Sequence, residues 1–133
     1  MEQSDNFSGN WLLEHWYPSV DDTAEKKSEH QLVAHQRGSN VVLQTAHRTE
    51  KDSYMLVRLR IEDGIVTGMW HENAMPDGPY KGVQYSGTGQ LLISEDGQTM
   101  EGLWVGAGID RSANKPKIYT GRWRLTRDQQ KQQ

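Results

Sequence analysis

Three histidines and one glutamate are the side chains of this sequence that could bind a metal ion or transfer a proton. His15, His30, His47 and Glu72 all take inward positions when the predicted strands below are counted out. Three imidazoles could hold zinc, or one could ligate haem iron. Their spacing matches no compact metal motif. We therefore expect them to hydrogen-bond a ligand or one another, and we predict no metal ion and no cofactor, although spacing alone leaves metal and haem open.

Glu72 is the inward acid of the predicted sheet. Burial disfavours the charged form of a carboxylate, so its pKa rises unless the group is paired. Beside His15 or Tyr85, such a carboxylate could act as a general base. We favour a simpler interpretation, in which Glu72 lies at the mouth of a cavity and pairs with a histidine or a lysine. We predict no catalytic residue.

Strands must position these side chains, and three turn signals set their register. Gly38-Ser39, Asp63-Gly64 and Asp96-Gly97 each predict a two-residue hairpin turn. Because side chains alternate between faces, counting outward from each turn fixes which residues face inward. The remaining connections are predicted to be long, and they lie near 18–29, 48–53, 73–81 and 109–117.

Four of the five tryptophans follow a glycine by two positions. These patterns are Gly9-Asn10-Trp11, Gly68-Met69-Trp70, Gly102-Leu103-Trp104 and Gly121-Arg122-Trp123. Residues two apart on a strand share a face, so each ring lies beside bare backbone that a neighbouring ring can cross. We predict an all-β fold, an eight-stranded antiparallel up-and-down β-barrel over residues 1–127, with a disordered polar tail at 128–133.

Strand direction assigns each inward residue to one end of this barrel. Apolar residues collect at the end with short turns, and polar and aromatic residues collect at the end with long loops. Trp70 and Trp104 fall at mid-height, where they could stack on a planar ligand. An apolar floor under a polar mouth is typical of a site for a small, partly apolar molecule. The predicted ligand-binding residues are His15, Tyr17, His30, His47, Trp70, Glu72, Tyr85, Trp104 and Tyr119.

Composition narrows the class of protein. Only 34% of the 133 residues are hydrophobic, which is low for a packed globule but suits a barrel with polar groups inside. Five Trp and five Tyr argue against disorder. The net charge of −3, with basic residues scattered among acidic ones, disfavours direct nucleic-acid binding. The polar start at 1–7 and the lack of a long apolar run predict a cytoplasmic protein that does not enter a membrane.

The layout resembles the calycins, the lipocalin and avidin-like barrels. Gly9-Asn10-Trp11 at the start of the first strand is similar to the lipocalin Gly-x-Trp motif. In lipocalins, an arginine near the end of the last strand packs across that tryptophan, and the resemblance offers Arg124 or Arg127 for this role. The lipocalin Thr-Asp-Tyr motif is absent, and Arg124 has outward parity.

A second resemblance is to an uncharacterised bacterial domain that often follows a helix-turn-helix segment in regulatory proteins. The strings that carry it are Trp16-Tyr17-Pro18-Ser19, Gly68-Met69-Trp70-His71-Glu72, Met100-Glu101-Gly102-Leu103-Trp104-Val105-Gly106 and Ile118-Tyr119-Thr120-Gly121-Arg122-Trp123. This resemblance implies the sensing half of such a regulator without its DNA-binding half. Together with the predicted cavity, we expect a ligand-sensing or carrier barrel.

Two alternatives remain at this point. The first is a small-barrel isomerase or hydrolase that uses Glu72 and a histidine. The second is a protein-interaction module, with a homodimer formed through an outward apolar stripe of Leu92, Leu103 and Val105.

Overall fold

A computed structural model describes residues 6–18, 25–46, 54–73, 84–110 and 113–128. These residues form eight strands: β1 (Gly9–Pro18), β2 (Glu25–Arg37), β3 (Asn40–Thr45), β4 (Tyr54–Glu62), β5 (Ile65–Asn73), β6 (Gln84–Ile93), β7 (Thr99–Asp110) and β8 (Lys115–Arg127). Each strand pairs antiparallel with the next, and β8 pairs with β1, so the sheet closes into an up-and-down barrel. The predicted fold class is confirmed.

The two ends of the barrel differ in their connections. At the turn end, hairpins join β2 to β3, β4 to β5 and β6 to β7. At the loop end, β1 connects to β2, β3 to β4, β5 to β6 and β7 to β8. Residues 19–24, 47–53, 74–83 and 111–112 of the loop-end connections lie outside the described residues.

The predicted registers of all three hairpins are confirmed. Leu32 lies opposite Thr45, and Met55 lies opposite Glu72. Asp63 and Gly64 both have positive φ, 54° and 79°, as a type I′ turn requires.

The third turn is longer than predicted. Residues 95–98 form a four-residue loop, closed by a hydrogen bond from the Ser94 N–H to the Thr99 carbonyl oxygen (2.8 Å). The Asp96 carboxylate accepts hydrogen bonds from the Ser94 hydroxyl (2.7 Å) and the Gln98 backbone N–H (3.0 Å). The loop is symmetric about the Asp96–Gly97 peptide bond, with Ile93 opposite Met100. The strand register is therefore the one predicted for a two-residue turn at Asp96-Gly97.

Two predicted loops are partly strand. β2 begins at Glu25, where residues 18–29 were expected to form a loop, and β7 and β8 extend through most of 109–117. The charged residues of early β2 find partners across the sheet: Lys27 bonds Glu14 on β1 (3.0 Å). Polarity along the chain therefore does not mark the strand ends. In the predicted tail, Asp128 donates its backbone N–H to the Asn10 carbonyl oxygen (2.9 Å), and 129–133 lie outside the described residues.

Tryptophan rings fill the interior by crossing glycines on strands one or two places away in the sheet. A Cβ placed on Gly106 would lie 2.7 Å from a Trp70 ring carbon, and one on Gly89 would lie 2.6 Å from Trp123. A Cβ on Gly121 would lie 2.8 Å from the Trp104 ring nitrogen. These positions need glycine because the rings, and at Gly121 also the Trp16 carbonyl oxygen, occupy the volume of a side chain. The buried core members are Phe7, Trp11, Leu13, Leu32, Ala34, Val41, Leu43, Met55, Val57, Leu59, Val66, Leu91, Met100, Trp104, Trp123 and Leu125.

Trp11 and Arg127 close the turn end between the first and last strands. Trp11 is 1% exposed and donates its indole N–H to the Phe7 carbonyl oxygen (2.8 Å). The Arg127 guanidinium lies over the Trp11 ring, 4.7 Å from its centroid, and donates to the Ser8 carbonyl oxygen (3.3 Å). A cation over an indole face is a favourable contact. Arg124 points outward, as its parity predicts, and pairs with Glu14 (2.8 Å).

Gly106→Ala tests the ring-over-glycine contact. The added methyl group would press on the Trp70 ring and should lower the free energy of unfolding by roughly 1–3 kcal/mol, the usual cost of overpacking. Urea unfolding of Gly106→Ala, Trp70→Leu and the double variant measures the coupling between the two positions. The alanine should cost less when the ring is absent; equal costs in both backgrounds would contradict the contact.

Candidate functional site

His15, His30 and Glu72 meet inside the barrel near the loop end. They come from β1, β2 and β5, and strand alternation turns each of them inward. One ligand-type atom from each residue lies within 4.8 Å of the other two. The nearest pair is His30 Nε2 and Glu72 Oε2, 3.3 Å apart. We call these three residues the His–His–Glu cluster, and the sequence predicted that all three share this end.

The His15 ring is held between two aromatic neighbours. It stacks on His30 with a centroid separation of 5.6 Å and an interplanar angle of 8°, and it lies 5.7 Å from the Tyr17 ring. Its Nε2 is buried and has no hydrogen-bond partner among the described residues. A buried polar atom without a partner is costly, so this nitrogen is a natural contact for a bound group.

The pKa values of both His15 and Glu72 are lowered in the cluster. Burial lowers the pKa of His15 to about 4; the Glu72 charge opposes that shift and His30 adds to it. Burial alone would raise the pKa of Glu72, but the His30 hydrogen bond and the charges of His30 and His15 outweigh it, so that pKa is lowered. Near neutral pH, Glu72 is therefore ionised and His15 is neutral. The expected pairing of Glu72 with a histidine is present.

Trp70 and Trp104 meet edge to face, with centroids 5.6 Å apart and an interplanar angle of 86°. Trp104 is 7% exposed and donates its indole N–H to the Trp16 carbonyl oxygen (2.9 Å), so it belongs mainly to the core. Trp70 is half-buried, and its ring Nε1 is buried without a partner in the described ranges. Trp70 lies two residues before Glu72, on the same face of β5.

The other predicted site residues surround the cluster on neighbouring strands. Tyr85 lies directly opposite Glu72 in the β5–β6 ladder, and Tyr119 lies opposite Gly106 in the β7–β8 ladder. Tyr17, Tyr85 and Tyr119 are half-buried. His47 lies outside the described residues. The structure thus brings His15, His30 and Glu72 into contact and places the tyrosines on the same inward face.

Two surface cavities lie away from this group. One, of about 430 Å³, is at the turn end between Phe7, Ile61 and Ile93. The other, of about 270 Å³, is on the outer wall beside Trp16 and Arg122. Neither is lined by a predicted ligand-binding residue. The His–His–Glu cluster is instead a compact polar group set among half-buried rings.

An outer cluster on β1, β2 and β8 is a feature that the sequence analysis did not identify as a group. The Arg122 guanidinium lies 4.3 Å from the centroid of Trp16. Beside it, Glu14 is buried and pairs with Arg124 (2.8 Å) and Lys27 (3.0 Å). Burial raises the pKa of Glu14, but these hydrogen bonds outweigh it and lower the pKa. The outward parity of Trp16 was the available signal.

No protein-family model and no curated protein matches this chain. Across the described ranges, no helix is long and apolar enough to cross a membrane.

The lowered pKa of His15 predicts that stability depends on pH. In the unfolded chain His15 takes up a proton below its ordinary pKa of 6.5. In the folded chain it does so only near pH 4. The free energy of unfolding should therefore fall by about 2 kcal/mol as the pH is lowered from 7 to 5. Above pH 6.5 the stability that neutral His15 contributes is fully present. Glu72 adds a loss of the same sign at lower pH, below its ordinary value of 4.5.

Urea unfolding at the two pH values checks this expectation. His15→Gln should flatten the dependence, because glutamine does not titrate. His35→Gln is the matched control on the exposed face of β2 and should keep the wild-type dependence. A wild-type slope that survives in His15→Gln would assign the effect to another group.

Proposed function

We propose that the barrel binds a small, partly apolar molecule at its loop end, through the His–His–Glu cluster and the half-buried rings around it. The observation that carries the proposal is a pair of buried ring nitrogens, His15 Nε2 and Trp70 Nε1, that have no hydrogen-bond partner among the described residues. Leaving a buried donor or acceptor unpaired costs roughly 1–3 kcal/mol. A ligand with polar groups at both positions recovers that cost.

The two nitrogens require different hydrogen-bonding groups on a ligand. Trp70 Nε1–H is a donor only, so it calls for an acceptor such as a carbonyl or a ring nitrogen. His15 is neutral near pH 7 and can donate or accept at Nε2, according to its tautomer. Glu72 is ionised and accepts, so a donor on the ligand can share it with His30. This set favours a neutral or cationic molecule that carries both donors and acceptors.

The apolar part of the ligand would contact aromatic surface. Trp70 and Tyr119 are half-buried rings on inward positions, and rings of this kind contribute contact area at low entropic cost. Trp104 is more deeply buried and acts through its edge contact with Trp70. The predicted stacking therefore falls chiefly on Trp70.

A calycin-type relationship fits this role. Arg127 lies across Trp11 at the closure of the first and last strands, the contact that the Gly9-Asn10-Trp11 motif implies by its resemblance to lipocalins. We therefore propose a ligand-sensing or carrier barrel, bacterial and cytoplasmic, of the kind that accompanies regulatory proteins. It would not contact nucleic acid directly.

Intrinsic tryptophan fluorescence tests ligand binding directly. Titration with a library of small metabolites should give saturable changes for a few related compounds. Trp70→Phe should reduce the signal change and the affinity, whereas Trp16→Phe, on the outer wall, should leave affinity unchanged. If no compound gives a saturable change, or if both variants lose affinity equally, the proposed site is wrong.

The enzyme alternative gains little from Glu72. A carboxylate that is ionised and bonded to His30 has a lowered pKa, so it is a weaker base than an unpaired buried acid. For a reaction that uses Glu72 as its base, Glu72→Gln should lower the rate and remove the acidic limb of the pH–rate profile. An unchanged rate would exclude this residue from the mechanism.

Self-association is a second candidate function, favoured by the exposure of the outer wall. Leu92, Leu103 and Val105 are 65%, 60% and 41% exposed on β6 and β7, close to other exposed apolar side chains. Burying such a face between two copies would remove it from water. Sedimentation across a wide concentration range should show a dimer that Leu103→Glu converts to monomer. A wild-type chain that stays monomeric throughout would contradict it.

A further inference from the structure

We propose that His15, His30 and Glu72 form a binding site for one divalent transition-metal ion, with Zn²⁺ as its simplest occupant. Two imidazoles and one carboxylate are a ligand set that zinc and related ions use when three protein ligands leave a further position open. Each residue comes from a different strand, so the barrel itself holds the three donors together. This inference goes beyond the proposed ligand site, and because both would use His15 Nε2, a bound ion and a direct ligand contact at that nitrogen exclude each other.

The distances suit a single ion. Two ligands on a tetrahedral zinc, each bonded at about 2.0–2.1 Å, lie roughly 3.3 Å apart. His30 Nε2 and Glu72 Oε2 are 3.3 Å apart. The third donor lies within 4.8 Å of both, so the His15 ring would have to move closer to complete the set.

An ion pair alone explains only two of the three residues. His30 and Glu72 satisfy each other, but His15 Nε2 is buried beside them without a partner in the described residues. A metal ion gives this nitrogen the electron-pair acceptor it lacks. Because an ion binds in the plane of each imidazole, the near-parallel His15 and His30 rings would have to turn from their present stacking to share it.

The protonation states favour coordination. Metal ions bind neutral imidazole and ionised carboxylate, and protons compete with them. Burial keeps the His15 pKa at about 4, and the pKa of Glu72 is lowered, so neither group must lose a proton near pH 7. The negative charge of Glu72 offsets part of the charge of the ion. The open position of the metal would face the surrounding half-buried rings.

Calorimetric titration of the full chain with ZnCl₂, after removal of metals by a chelator, tests the site. We expect one ion per chain with a Kd of roughly 1 µM or tighter. Co²⁺ should bind to the same site and give the visible absorption of a low-coordinate complex. His15→Gln, His30→Gln and Glu72→Gln should each weaken binding at least about 10-fold.

Matched controls keep the outcome interpretable. His35→Gln and His71→Gln remove outward-facing histidines from β2 and β5 and should bind Zn²⁺ as the wild type does. Circular dichroism of each metal-free variant establishes that it is folded. The Co²⁺ spectrum of the wild type tests the site even if a variant fails to fold.

Three results would overturn the metal site: no saturable binding to the wild type, a Co²⁺ spectrum of the hydrated ion alone, or unchanged affinity in folded His15→Gln and Glu72→Gln. Trp70→Phe separates this inference from the proposed function, because it should impair binding of the organic ligand and leave Zn²⁺ affinity unchanged. Failure of the metabolite titration with intact Zn²⁺ binding would count against the ligand proposal only.

Discussion

The fold depends on indole rings that cross glycine backbone. A small barrel of eight strands has little interior volume. The side chains that fill it must be large enough to exclude water, and planar rings fit the narrow space. Trp70 crosses Gly106 and Trp123 crosses Gly89, so each ring takes the volume that a neighbouring side chain would otherwise fill. This packing explains how a chain that is only 34% hydrophobic supports a closed sheet.

The same economy leaves one end of the barrel polar. The turn end is closed by Trp11 with Arg127 over its face, whereas the loop end buries His15, His30 and Glu72. Burying ionisable groups costs free energy unless they are paired, and here the pairing is incomplete. Glu72 and His30 meet, while His15 stays neutral and its Nε2 has no hydrogen-bond partner in the part of the chain that the structure describes. A protein that needed only stability would gain from apolar residues at these positions. The retained polar group is therefore the physical reason for proposing that the loop end binds a ligand.

The register and the inward face could be predicted from the sequence because Asp-Gly turns and strict alternation are local signals. Asp63-Gly64 alone sets which residue opposes Glu72. The lengths of β2, β7 and β8 could not, because the charged start of β2 reads as a loop until Lys27 meets Glu14 across the sheet. The stacking of His15 on His30 could not be predicted for a similar reason. Alternation gives the face of a side chain and strand direction gives its height, but neither gives the rotation of its ring. The turn-end cavity beside Phe7 likewise depends on how the N-terminal segment folds over the barrel.

The central claim is that alternation gathers His15 with His30 and Glu72 inside the barrel at the loop end. An NMR titration of the histidine side chains, assigned with the single glutamine variants, tests it most directly. The account predicts that the His15 imidazole titrates near pH 4 and that its resonances shift when Glu72 is replaced. A His15 ring that titrates near pH 6.5, as an exposed imidazole does, and that is insensitive to Glu72, would contradict it.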